Sequence, residues 1–200
     1  SNISNECAKI NNMCTDSQIK SGISMDVSVS KDETYTFNVI KDDGVNLTLI
    51  MNDVFEDSIT WNNDPSNILD YLDAKTNGWD NVLDITYTLN GTNSNNFTGC
   101  TNYNTCTENI YTLSTKNSKS RLITIQELAN LGCTNTSNSC PSWLISGLSE
   151  SSNKNGFWTS TANNNQAWIV TANSNVSSVN LNTDNIKIKP IIMIRKDTVK

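Results

Sequence analysis

Apolar residues alternate with polar ones along three stretches in the first quarter of the chain. Met25, Val27 and Val29 share one face of a predicted strand from Met25 to Ser30. Tyr35, Phe37 and Val39 do so from Thr34 to Ile40, and Val45, Leu47 and Leu49 do so from Val45 to Met51. A period of two marks a half-buried strand. The connections Lys31-Asp32-Glu33 and Lys41-Asp42-Asp43-Gly44 are short and turn-like, so the pattern predicts a β-meander. Ahead of it, residues 1–22 read as a short helical lead-in, with Thr15-Asp16-Ser17 capping a turn that runs through Ile19.

The period then lengthens. Asp64-Pro65 opens a predicted helix whose stripe is Ile68, Leu69, Tyr71 and Leu72 and whose stop is Asn77-Gly78. Trp79 is expected to pack against that helix. A second helix is signalled by the capping box of Thr124 with Glu127 before an apolar run, ending at Gly132. Pro141-Ser142-Trp143-Leu144 starts another short helical turn.

Residues 90–120 form a polar insertion between the helices, with Asn90-Gly91 as a turn and Ile110, Tyr111 and Leu113 as beats of a short strand. An insertion this long is either a functional surface loop or a hairpin excursion. Four more strands are predicted: Phe157–Thr161, Ala167–Ala172, Val176–Leu181 and Ile186–Ile194. On the second of them Trp168 and Val170 share one face and are assigned to the core. Ile169 and Thr171 are left facing outward. Residues 23–200 are therefore expected to be one α+β domain carrying the insertion.

Composition sharpens the picture. Hydrophobic residues make up 36% and charged residues 17% of the 200, and the gap is filled largely by 33 Asn with Ser and Thr. Five Trp, five Tyr and four Phe, set in clear alternation, separate the chain from disordered sequences, which lack such anchors. A net charge of −6 argues against nucleic acid, which needs a basic patch. No basic run suits an anionic membrane surface. No apolar run approaches the ~20 residues of a membrane-spanning helix. The chain begins at Ser1, as expected of a processed form; a pilus or cell-envelope anchor would lie in a preceding segment.

Six cysteines fall in close pairs, Cys7/Cys14, Cys100/Cys106 and Cys133/Cys140. Without His or a Cys-x-x-Cys spacing, zinc is disfavoured. Three local disulfides in an oxidising compartment are preferred, which places the protein outside the cell, at its surface. Other connectivities, and six free thiols, stay open.

The chemistry left to the chain is narrow. The absence of His removes Ser-His-Asp and Cys-His catalysis, and no Gly-rich phosphate loop is present. Asp42/Asp43 and Glu56/Asp57 are neighbours in sequence and read as solvated turn residues rather than a glycosidase pair. Asp64 and Asp80 offer hard oxygens for calcium, but Asp64 reads first as a helix cap. No catalytic residue, metal or cofactor is assigned. The strongest candidate is the Asn-rich run from Asn163 to Asn182, because Asn presents both a donor and an acceptor on a short side chain. The expected ligand-binding residues are Asn163, Asn164, Asn165, Gln166, Ile169, Thr171, Asn173, Asn175 and Ser177. The bland alternative is ordinary polar hairpin loops in an Asn-rich chain.

Several segments also carry a resemblance. Arg121-Leu122-Ile123-Thr124-Ile125-Gln126-Glu127-Leu128, Pro141-Ser142-Trp143-Leu144, Gly156-Phe157-Trp158-Thr159-Ser160-Thr161, Ala167-Trp168-Ile169-Val170 and Lys189-Pro190-Ile191-Ile192 resemble the C-type-lectin-like fold. The branch they resemble holds formylglycine-generating enzymes and variable proteins diversified by retroelements, such as phage tropism determinants. The usual ending there is Gly-Val-Arg-Pro-Val; here it is Lys187-Ile188-Lys189-Pro190-Ile191. The resemblance spans residues 120–196, while residues 7–90 look like the front of bacterial surface proteins, some of which begin with a pilin-like helix.

The resemblance implies an α+β fold with paired N- and C-terminal strands, an N-terminal meander, two short helices and C-terminal hairpins. It implies an adhesin-like module whose outward hairpin residues bind a protein or glycan receptor on another cell, phage or host surface. In diversified members Asn codons vary, and Asn163–Asn165 fall where such positions would lie. The enzymes of this branch need C-terminal redox cysteines. None follows Cys140, so their activity is not carried over. A minor-pilin-like head subunit is the alternative, with a lectin-fold enzyme behind it.

Overall fold

The predicted meander closes on the far end of the chain. The computed structural model describes residues 18–61, 66–92, 110–151, 154–163 and 166–199. In order, the elements are β1 (Ser24–Ser30), β2 (Glu33–Asp42), β3 (Asn46–Met51), α1 (Ser66–Thr76), β4 (Ile85–Thr92) and β5 (Ile110–Ser118). They continue with α2 (Ile125–Asn130), a 3₁₀ turn (Ser142–Ile145), β6 (Gly156–Asn163), β7 (Gln166–Thr171), β8 (Val176–Asn180), β9 (Ile191–Arg195) and a last 3₁₀ turn (Lys196–Thr198). The fold is α+β with two sheets, ordered β1-β2-β3-β9 and β5-β4-β6-β7-β8. The first is antiparallel throughout; the second holds one parallel pairing, of β4 with β6 at Asn90↔Thr161 and Gly91↔Ala162.

Burial departs from simple alternation, and the reason is a core on both faces of each sheet. Phe37 to Ile40 and Leu47 to Met51 are buried without a break. Phe37, Val39, Leu47 and Leu49 face one cluster with Trp79, Val82 and Ile192. Ile40, Ile50 and Ile191 face another, shared with Ile125, Leu128, Phe157, Trp168 and Val170 of the second half. The far side of the second sheet packs on α1 through Ile68, Leu69 and Leu72, with Trp61, Trp158, Ile169 and Ile188. Strands covered on both faces read as near-continuous apolar runs.

Three expectations are corrected. Val45 is 65% exposed, not inward. The Asp43 carboxylate accepts from the N–H groups of Val45 and Asn46, which closes the turn and starts β3 one residue later. Trp79 is tied to the end of α1 by its backbone N–H, which donates to the Thr76 carbonyl at 2.9 Å. Its ring meets Tyr35, Phe37 and Phe55 beneath the first sheet. Asn90-Gly91 is not a turn but lies inside β4, paired with Thr112 and Tyr111. The part of the 90–120 stretch that is described is thus a hairpin arm. The alternation of Ile85, Tyr87 and Leu89 is a local signal of β4 in the sequence. Finally, the strand expected from Ile186 to Ile194 begins only at Ile191. Pro190 lacks an N–H for a ladder, and its carbonyl instead accepts from Met51 N–H at 2.9 Å.

The capping box is present. Glu127 N–H donates to the Thr124 hydroxyl at 3.0 Å, and Thr124 N–H donates to the Glu127 carboxylate at 3.0 Å. Arg121 holds the same carboxylate with two bonds of 2.7 and 2.8 Å. Burial works to raise the Glu127 pKa, but the guanidinium and the cap bonds win and hold it below the usual carboxylate range. The predicted disulfide between Cys133 and Cys140 is formed. Cys7, Cys14, Cys100 and Cys106, the helical lead-in and Asp64-Pro65 lie outside the described residues.

Candidate functional site

The candidate site is built on β7 and the turn that follows it. Alternation sends Trp168 and Val170 into the core shared with α2, and sends Ala167 and Ile169 to the opposite side. Ile169 is therefore a correction: expected outward, it is only 4% exposed. Its partner across β8 is Ser177, and Ala167 pairs with Val179. Ile169, Ser177 and Val179 therefore share one face, with Ile169 at its buried side.

Beyond Thr171 the chain reverses through residues 172–175. Ser174 sits at a φ of 61°, an uncommon conformation for a residue with a side chain. It is held there by the disulfide loop. The Ser174 hydroxyl donates to the Cys140 carbonyl at 2.9 Å, and Cys140 N–H donates back to the Ser174 carbonyl at 2.9 Å. Asn138 N–H donates to the Asn173 carbonyl and Val176 N–H to the Thr134 carbonyl, both at 2.9 Å. Asn175 completes the clamp by donating to the Asn135 carbonyl and accepting from the Thr171 hydroxyl. The local staple fixes not only its own loop but also the β7–β8 turn.

This turn borders an open depression of about 560 Å³. Its apolar side is Ile169, Val179 and Ile186. Its polar side combines Thr171, Asn173 and Ser177 with Asn155, Thr183 and Asn185, and Glu150 is the one charged group on the lining. Such a surface offers hydroxyl and amide bonds to a neutral polar ligand over a small apolar floor, with no cation to hold a phosphate or carboxylate.

Of the predicted residues, the structure brings Ile169, Thr171, Asn173 and Ser177 to this depression. Asn175 stands behind them as a turn support. Gln166 lies at the other end of β7, about 17 Å along the strand, where it pairs with Asn163 and Asn180. Asn164 and Asn165 lie outside the described residues. Sequence reasoning missed Asn155, Thr183, Asn185 and Ile186. Of these, Ile186 falls in the strand expected from Ile186 to Ile194, and Thr183 and Asn185 in the connection before it. Ile186 N–H bonds the Asp184 carbonyl and Ile59 N–H bonds that of Ile186, and the segment pairs with the second sheet only through a single parallel bridge of Lys187 with Phe157 of β6.

Gly156 sets the approach of β6 to β7 here. A Cβ on it would lie 3.0 Å from the Ile169 Cδ1 atom and 3.1 Å from the Val170 carbonyl oxygen. Among the described residues no three of His, Cys, Asp and Glu gather as a metal-binding group. No helix among them is long and apolar enough to cross a membrane. Comparison of the chain with protein-family models, curated proteins and solved structures gives no match.

Proposed function

We propose that the protein is an extracellular binding module on a C-type-lectin-like scaffold and that the depression beside the β7–β8 turn receives its ligand, a polar, uncharged portion of a protein or glycan receptor. The observation that carries the reading is the convergence of Ile169, Thr171, Asn173 and Ser177 on one open, almost uncharged surface. A rigid frame supports it: three backbone bonds tie the turn to a disulfide loop, so little freedom would be lost on binding. The pairing of β3 with β9 supports the scaffold reading, since that resemblance implies joined N- and C-terminal strands.

Asn173 and Ser177 are both exposed, so replacing their side chains leaves the core untouched. The double change Asn173→Ala with Ser177→Ala tests the reading on an array of glycans and receptor proteins. Loss of two hydrogen-bonding groups weakens binding by about tenfold while the melting temperature stays put. Unchanged affinity for every ligand that binds the parent protein sinks the proposal. If only replacement of Asn163–Gln166 by Ala weakens binding, the site belongs at the other end of β7.

A further inference from the structure

The first sheet carries a second depression, again of about 560 Å³, whose lining shares no residue with the first. Tyr35 and Phe55 line it, together with Asn52, Asp53, Glu56 and Lys75. Both rings rest on Trp79, with centroids 5.6 and 6.2 Å away. Each is fixed from behind. The Tyr35 hydroxyl donates to Glu33 at 2.7 Å, and Phe55 N–H donates to the Ile188 carbonyl at 2.9 Å. The Trp79 indole N–H, buried beneath them, has no acceptor among the described residues.

One of the two rings, Phe55, already meets a cation, that of Lys75, which also lines the depression. The Lys75 ammonium lies 5.7 Å from the centre of Phe55 and 6.0 Å from that of Tyr71. Asp57 balances that charge at 3.0 Å. Asp53 and Glu56 remain. Glu56 is 81% exposed, and the Lys154 ammonium stands off from it at 3.7 Å. Two lysines lie behind the segment, but both are buried and occupied. Lys187 donates to the Glu56 carbonyl, and Lys189 to the carbonyls of Leu144 and Ser146. The lining thus combines ring surfaces and the Lys75 stem, whose charge Asp57 balances, with the exposed carboxylates of Asp53, one oxygen of which accepts from Val54 N–H at 2.8 Å, and Glu56, in a chain of net charge −6 that favours approach of positive charge.

We infer that this depression is a binding site for an organic cation, an ammonium or guanidinium on a flexible chain, whose charge sits between the Tyr35 and Phe55 rings and the Asp53 and Glu56 carboxylates. An exposed ion pair alone is worth little. Ring faces and carboxylates around one partly enclosed cation reinforce each other, and the rigid rings need no ordering. A neutral polyol would gain nothing from the two negative charges, and an anion would be repelled.

The test is a titration of the whole chain followed by two-dimensional amide NMR. Two probes carry the cation, Nα-acetyl-lysinamide and spermidine. The first stands for a peptide side chain and the second for a free polyamine. Nα,Nε-diacetyl-lysinamide is the neutral control. Saturable shifts at the amides of Tyr35 and Asn52 to Glu56 are expected with at least one cation and not with the control. Asp53→Asn with Glu56→Gln keeps the shape of both side chains and weakens binding by about fivefold or more. Phe55→Ala weakens it too; should that variant unfold, the charge variant decides alone. Equal shifts with the neutral control, unchanged affinity in the charge variant, or shifts confined to the β7–β8 depression would each overturn the inference. The first site is judged separately, by the array experiment.

Discussion

Single buried groups do much of the fastening in this chain, and Lys189 is the plainest case. It is fully buried, its ammonium bonds the Leu144 and Ser146 carbonyls at 2.6 and 2.8 Å, and it lies 5.5 Å from the centre of the Phe157 ring. Burial pushes its pKa down to about 7, with the Asp53 carboxylate working the other way. The unfolded chain holds this proton until about 10.5, so the folded state releases it first. Stability contributed by Lys189 is therefore fully present above 10.5 and is lost as pH falls through about 7. In that window the gain approaches about 1 kcal/mol per pH unit. Denaturant unfolding of the parent protein and of Lys189→Met, run from pH 6 to 10, should show a rising difference between the two. A difference that stays flat would show that the folded state binds this proton as tightly as the unfolded chain does.

Among the elements, the turn of the β7–β8 hairpin depends on a loop that precedes it in sequence by more than 30 residues. Ser174 is buried, holds a positive φ and bonds Cys140 twice. Loss of the disulfide frees residues 133–140, and about 2.5 kcal/mol of chain-entropy restraint goes with it. Cys133→Ser with Cys140→Ser should lower the melting temperature. It should also speed amide exchange selectively at Cys140 (as Ser), Asn138 and Val176, whose N–H groups span the two elements. Uniform acceleration over both sheets would mean that the staple acts globally and not on the turn.

This coupling marks the boundary of what the sequence discloses. The capping box of Thr124 and Glu127 and the alternation of β1 to β3 are local signals, and both appear where pattern places them. The partner of a strand is not local. Nothing in Ile169 itself reveals that Ile68, Leu69 and Ile188 cover its face, so an alternation rule had to choose one side as outward. Likewise, Asn155 and Asn185 reach the depression only because segments 181–190 and 154–156 cross beside β7. Asn is so common here that no single one stands out before those crossings are seen.

At the scale of the molecule, β9 is what makes the two sheets one body. On one side it pairs with β3 from Asn46↔Arg195 to Ile50↔Ile191. On the other, Leu83 N–H donates to the Met193 carbonyl at 2.9 Å, and Arg121 exchanges two backbone bonds with Ile191 at 3.0 and 2.8 Å. Arg121 in turn grips Glu127 at the start of α2, so a chain of bonds runs from the first sheet to the helix under the second. The apolar core does the same: Ile40, Ile50 and Ile191 of one sheet share a cluster with Trp168 and Val170 of the other. A shared core and a strand bonded on both sides leave no plane along which either sheet can melt alone. Ile192 is fully buried, pairs with Leu49 and lies in the cluster beneath the first sheet. Ile192→Ala should cost about 2–4 kcal/mol, and the cost should be felt everywhere. Trp fluorescence, near-ultraviolet circular dichroism and amide signals from both sheets should shift to lower denaturant together, in a single transition. A variant whose first sheet unfolds while β6 to β8 persist would show that the halves are separable, and β9 would then be a late addition to the first sheet rather than the joint between the two.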